Sequence, residues 1–130
     1  MQFLLVYIRE AHPSDERRGR GRGRGRGPEV KQPKTFEERT EVASECVENL
    51  KLSMPAVIDN MKNTAGTAYA GFPDRLFLVD KKGKIAYAGA RGPRGFSPEK
   101  LEDSIKAVLK NKGVAPRKST KNKKSQGRGN

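Results

Sequence analysis

VYIREAHPSD, residues Val6 to Asp15, is the stretch on which the reading of this chain turns. It closes a continuous apolar run, Phe3 to Ile8, with the charges of Arg9 and Glu10. Six residues is strand length and too short for a helix, and the lack of polar alternation predicts a strand buried on both faces. The loop that follows holds His12, the only histidine of the chain, and Asp15. A strand that runs into Glu10, His12 and Asp15 sets titratable groups at the carboxyl edge of a sheet, where open α/β sheets place their ligands.

Beyond this loop, residues 17–28 read RRGRGRGRGRGP. Arginine alternating with glycine offers no apolar side chain to bury against the entropy of ordering, which predicts a disordered insert. Thr35 and Glu38 then form a T-x-x-E capping box, and Ala43, Cys46, Val47 and Leu50 recur at helical spacing. The pattern predicts a helix from about Phe36 to Leu50 with Cys46 on its inner face. Pro55 opens a short strand, Ala56 to Asp59, and Asn60 or Asn63 caps a short helix ending near Tyr69. Arg75 to Asp80 and Lys84 to Ala90 are β-patterned runs joined by Lys81, Lys82 and Gly83, a hairpin connection in which glycine supplies positive φ. Ser97 and Pro98 start a last helix with Leu101, Ile105, Val108 and Leu109 on one face, stopped by Gly113. The order β, loop, α, β, α, β-hairpin, α predicts an α/β sheet with an antiparallel edge.

Charge and composition bound the function. The net charge is +13, yet the arginines of 17–27 and the lysines and arginines from Lys110 onward account for fourteen positive charges, leaving the rest at −1. A near-neutral domain over residues 1–112 thus carries two basic appendages, the insert at 17–28 and a disordered tail at 113–130. One cysteine rules out an internal disulfide, a CxxC redox pair and any cysteine-rich metal site, so no metal is expected, and a reducing, cytoplasmic setting fits. No apolar run approaches the ~20 residues of a membrane span. The opening MQFLLVYIRE lacks the basic start and small-residue cleavage site of a signal peptide.

The segments VYIREAHPSD, QPKTFEER, PAVIDNM, AYAGFPDRLFLVD, GKIAYAG and GPRGFSPEKLE resemble, in order and spacing, the iodothyronine deiodinase family, which belongs to the thioredoxin-fold superfamily. The resemblance covers most of Phe3 to Leu109. It implies an incomplete thioredoxin-like α/β fold ending in a β-hairpin and helix. The implied activity is that of a thiol or selenol oxidoreductase removing iodine reductively from a small aromatic substrate, with no bound cofactor and an external thiol reductant. It further implies that Glu10 and His12 bind substrate or relay protons beside the nucleophile. Arg91 matches an arginine that holds a substrate carboxylate, and Pro73 matches a cis-proline facing the active site.

The departures also carry expectations. The family's nucleophile, a selenocysteine or cysteine, precedes the strand at Phe3 to Ile8, and these 130 residues contain neither it nor the strand and helix around it. A second histidine common before the long helix is Gln32 here, and the tryptophan usual after the EAHPSDG motif is replaced by Glu16 and the Arg-Gly run. Selenocysteine is encoded by a stop codon, so a reading frame opened at a downstream methionine yields this truncation, and the chain alone is expected to be inactive. The absent strand is central in thioredoxin folds. Its neighbours, Phe3 to Ile8 and Arg75 to Asp80, then pair directly, recruit another chain or leave an apolar edge, which predicts marginal stability or self-association.

Each candidate has a plainer reading. His12 is equally an ordinary loop histidine, Arg91 a solvated arginine of a Gly-Pro loop, and Cys46 a structural thiol on an apolar helix face beside Glu45 and Glu48, which disfavour a thiolate. Asp74 and Arg75 pair with each other or cap the hairpin entry. A second function class is a non-enzymatic RNA- or polyanion-binding protein, its appendages acting by counterion release on a decayed redox scaffold. Against a dedicated RNA module, no aromatic lies between Tyr7 and Phe36 to stack on bases.

Overall fold

The structure is a computed structural model that describes residues 1–15 and 30–116. The Arg-Gly insert and most of the basic tail, from residue 117, lie outside the described residues. The chain is α/β and divides into two compact units, residues 1–76 with 89–97, and residues 77–88 with those from 98 onward.

In the first unit, β1 (Leu5–Tyr7) runs parallel to β2 (Ala56–Ile58), with Leu5 opposite Ala56 and Tyr7 opposite Ile58. Parallel partners need a long crossover. Here it contains α1 (Phe36–Asn49), which packs on β2. Thr35 Oγ1 accepts from the Glu38 N–H at 3.1 Å, while Glu38 Oε2 accepts from the Lys34 N–H at 2.7 Å, one residue before the position a capping box uses. Arg39 and Ala43, one turn apart, form the buried face of α1, and Cys46 continues it half-buried. Arg39 donates to the Asp59 and Asn60 carbonyls at 3.2 and 2.8 Å, joining α1 to the end of β2.

The expectation of a first strand buried on both faces is not met. Val6 and its register partner Val57 are 42% and 45% exposed, and Phe3 and Leu4 are exposed as well. Leu5 and Tyr7, on the alternate face, are half-buried. Apolar character in this strand therefore exceeds what the described residues cover.

The short helix α2 (Thr64–Ala68) starts after Asn63, which sits at the capping position with φ of 54° and makes no side-chain cap bond. Asn60 Oδ1 accepts from the Thr64 N–H instead, at 3.2 Å. Asp59 contributes most: Oδ1 accepts from the N–H groups of Asn60 and Ala65 at 2.9 and 3.0 Å, and Oδ2 from that of Gly66 at 2.8 Å. Beyond α2, the Phe72–Pro73 and Gly92–Pro93 bonds are cis.

The second unit holds β3 (Phe77–Val79) and β4 (Ile85–Ala88), an antiparallel hairpin irregular between Leu78 and Val79, with α3 (Pro98–Lys110) packed on both strands. Gly83 takes the left-handed conformation, φ 74°, at the turn. Asp80 Oδ1 accepts from the N–H groups of Lys82 and Lys84, and Oδ2 from that of Ala115 at 3.0 Å. The N–H of Ala115 leads these causes, which together hold the Asp80 carboxyl below its ordinary value. Val108 is the buried apolar residue of α3, and Gly113, at φ 82°, donates back to the Val108 carbonyl to end the helix. In place of the single sheet expected, the strands form two two-stranded sheets, β1-β2 and β3-β4.

Candidate functional site

The end of β1 organises the first unit's polar chemistry. Tyr7, half-buried on the strand, donates its hydroxyl to Glu10 Oε1. The Glu10 N–H donates to Gln32 Oε1 at 3.1 Å, and the Gln32 N–H to Asp15 Oδ1 at 2.9 Å. The Ser14 N–H donates to the Val30 carbonyl at 2.8 Å, so both ends of the segment holding the insert are tied together. Burial pushes the Glu10 carboxyl above its ordinary value of 4.5. Asp15 is held below its ordinary value, first by the Gln32 N–H and then by its own N–H and the Lys34 and Lys31 charges, against a smaller effect of burial. His12 is exposed, between half-buried Ala11 and buried Pro13.

A cleft of about 260 Å³ opens beside this strand end, lined by Ile8, Arg9, Lys62, Asn63, Phe72 and Arg91 among others. Its walls are residues 8–9, the α2 segment, and the loops around Phe72 and Arg91. The Arg9 guanidinium lies 4.1 Å from the centroid of the Phe72 ring, a cation–π contact. Asn63 Oδ1 is buried without a hydrogen-bond partner. Arg75 spans two walls, donating from Nε to the Gly89 carbonyl at 2.6 Å and from a terminal nitrogen to the Tyr69 carbonyl at 3.0 Å. The Gly92 N–H bonds the Asp74 carbonyl at 3.0 Å, and a Cβ at Gly92 would collide with the Asp74 carboxylate, which explains a residue without a side chain next to Arg91.

Of the residues singled out from sequence, Arg91 lines the cleft and Pro73 follows its lining residue Phe72. Glu10 and His12 are not part of that lining, and Glu10 belongs to the adjoining Tyr7–Gln32 network. Cys46 is on α1, outside both. Tyr7, Gln32, Arg9, Lys62 and Asn63 are the additions. Gln32 stood out in sequence only as the replacement of a family histidine, and the three-residue spacing of Tyr7 from Glu10 signals no contact by itself. Among the described residues no group of three His, Cys, Asp or Glu could hold a metal ion, and no helix is long and apolar enough to cross a membrane.

An α/β unit with a small basic cleft at a strand's carboxyl end has the layout of a ligand-binding or catalytic α/β domain. The chain belongs to the iodothyronine deiodinase family, whose family model matches residues 1–111. It is 34% identical over 99 residues to a type I iodothyronine deiodinase of Xenopus laevis, covering 76% of this chain and 36% of that protein. It is 31% identical over 115 residues to a thyroxine 5-deiodinase of Gallus gallus, covering 86% and 42%, and 32% identical over 101 residues to one of Ovis aries, covering 78% and 32%. The chain thus spans about a third to two fifths of the length of these curated relatives.

Proposed function

We propose that these residues form the downstream part of a thioredoxin-like reductive dehalogenase that acts on an iodinated aromatic acid of the iodothyronine kind. The observation that carries this reading is the family match over residues 1–111. In the proposed reaction an aryl iodide and two thiol equivalents give the deiodinated ring, a disulfide, iodide and a proton. The C–I bond breaks, the ring carbon gains a proton, and the thiols are oxidised. A selenol or thiol from residues other than these 130 attacks iodine, because Cys46, half-buried on α1, is the only thiol in the sequence. On this reading the 130 residues by themselves release no iodide.

In this scheme Glu10 supplies the proton. Burial keeps its carboxyl protonated to higher pH than an exposed glutamate, and the Tyr7 hydroxyl orients it. His12 exchanges protons with solvent or contacts the substrate, Arg91 holds the substrate's anionic end, and Pro73 flanks the reacting centre. The DNA upstream of Met1 and its translated product provide the test. An open frame interrupted by one TGA, or encoding a cysteine, in a strand-turn-helix context is expected. The longer product should release iodide from an iodothyronine with dithiothreitol as reductant, and Glu10→Gln should slow it by about a hundredfold or more. An unrelated upstream sequence, or a longer product that releases no iodide, overturns the reading.

A further inference from the structure

The cleft carries more positive charge than one substrate carboxylate needs. Besides Arg91 it is lined by Arg9 and Lys62, to which neither the resemblance nor the relatives assign a role. Among the described residues no acid lines it and none of the three cations forms an ion pair. Arg9 is already positioned: its guanidinium rests against the Phe72 ring, which holds the planar fork at the wall and leaves its N–H edges for a bidentate anion. Lys62 adds a compact charge at the start of the α2 segment. Ile8 and the Phe72 ring supply apolar surface to the lining, and the buried Asn63 Oδ1 lacks a donor.

We propose that this cleft binds a small aromatic acid carrying two anionic groups, one held by Arg91 and the second by Arg9 with Lys62. This rests on the role given to Arg91 above and adds a second anionic subsite. The volume of about 260 Å³ is below the roughly 300–1,000 Å³ of pockets for drug-sized ligands, so it accommodates one substituted ring with its charged groups.

Amide NMR titrations of the full 130-residue chain at low ionic strength test this, with benzoate, benzene-1,3-dicarboxylate and sulfate as probes. The dicarboxylate is expected to shift the amides of Gly66, Thr67, Ala70 and Arg91, with a Kd at least about tenfold below that of benzoate. Arg9→Gln and Lys62→Gln, both at exposed positions, should each cut that advantage to roughly threefold or less, while Lys106→Gln, which is not among the cleft residues, preserves it. Equal affinity for the mono- and dicarboxylate, shifts confined to residues outside the cleft, or sulfate binding as tightly as the dicarboxylate would overturn the proposal. Iodide release is not measured, so loss of the dianion preference and failure of the dehalogenase reading are separate results.

Discussion

Replacing Asp59 isolates the interaction that holds α2 to the end of β2. Its carboxylate, only 5% exposed, is the acceptor for the N–H groups of Asn60, Ala65 and Gly66 at 2.8 to 3.0 Å. A hydrogen bond to a charged group contributes about 1.5–3 kcal/mol. In Asp59→Ala the exposed Asn60 amide regains water, whereas Ala65 and Gly66 are half-buried, so the expected loss is about 2–4 kcal/mol. In Asp59→Asn the amide oxygen keeps Asn60 and Ala65, but its NH2 faces the Gly66 N–H, donor against donor, for a loss of about 1–3 kcal/mol. Burial by itself would raise the Asp59 pKa; the N–H groups of Gly66, Ala65 and Asn60 and the charge of Arg39 outweigh it and hold the group below 3.8. With the folded value below the unfolded one, the stabilisation is complete above the unfolded pKa and is lost as pH falls through the folded one. Wild type and Asp59→Asn should therefore differ near neutral pH and converge as pH falls below the ordinary carboxylate value and through the folded one. Urea unfolding followed by far-UV circular dichroism measures the difference, and amide exchange at Ala65 and Gly66 localises it. An Asp59→Asn protein within about 0.5 kcal/mol of wild type near neutral pH, with Gly66 exchange unchanged, would refute the reasoning.

Glu10→Gln should behave in the opposite sense. Because burial raises the Glu10 pKa, its contribution is present below the ordinary value of 4.5 and is lost as pH rises through the folded value. Glutamine still accepts from Tyr7, so the variant should melt higher than wild type at neutral pH and not at about pH 4; a lower melting point at neutral pH contradicts this. Gly83→Ala should cost about 1 kcal/mol, because φ is 74° and a Cβ there meets nothing within 4 Å, leaving only the left-handed penalty. A thermal melt unchanged by that substitution would show that the hairpin turn is not left-handed.

What could be read from sequence is what local chemistry dictates. The T-x-x-E signal and the helical spacing of Ala43 and Cys46 located α1, the Lys-Lys-Gly connection located the hairpin, and Gly113 marked the end of α3. The burial of β1 was not readable, since an apolar run reports what a strand can bury and not which layers are present to cover it. Asp59 read as the last residue of a strand because its hydrogen-bond partners lie up to seven residues ahead, beyond an apparent cap at Asn60 or Asn63. The grouping of the cleft's cations was also out of reach: Arg9, Lys62 and Arg91 lie on three separated segments, and no spacing rule links them. Glu10 and Arg91 came from a motif, whereas Tyr7, one of an apolar run in sequence, became relevant only through the acceptor of its hydroxyl.

Arg75 has a mechanical consequence for the cleft. One guanidinium joins the carbonyl that closes α2 to the carbonyl two residues before Arg91. The wall bearing Lys62 and the wall bearing Arg91 are thus braced against each other, and their spacing is set before a ligand arrives. A braced gap behaves as a gauge more than a hinge: it favours molecules whose charges are the right distance apart, and little ordering entropy is lost when one enters. A lysine at position 75, with a single ammonium, cannot brace both carbonyls in the same planar geometry. The discrimination would then slacken even though every cation lining the cleft remained in place.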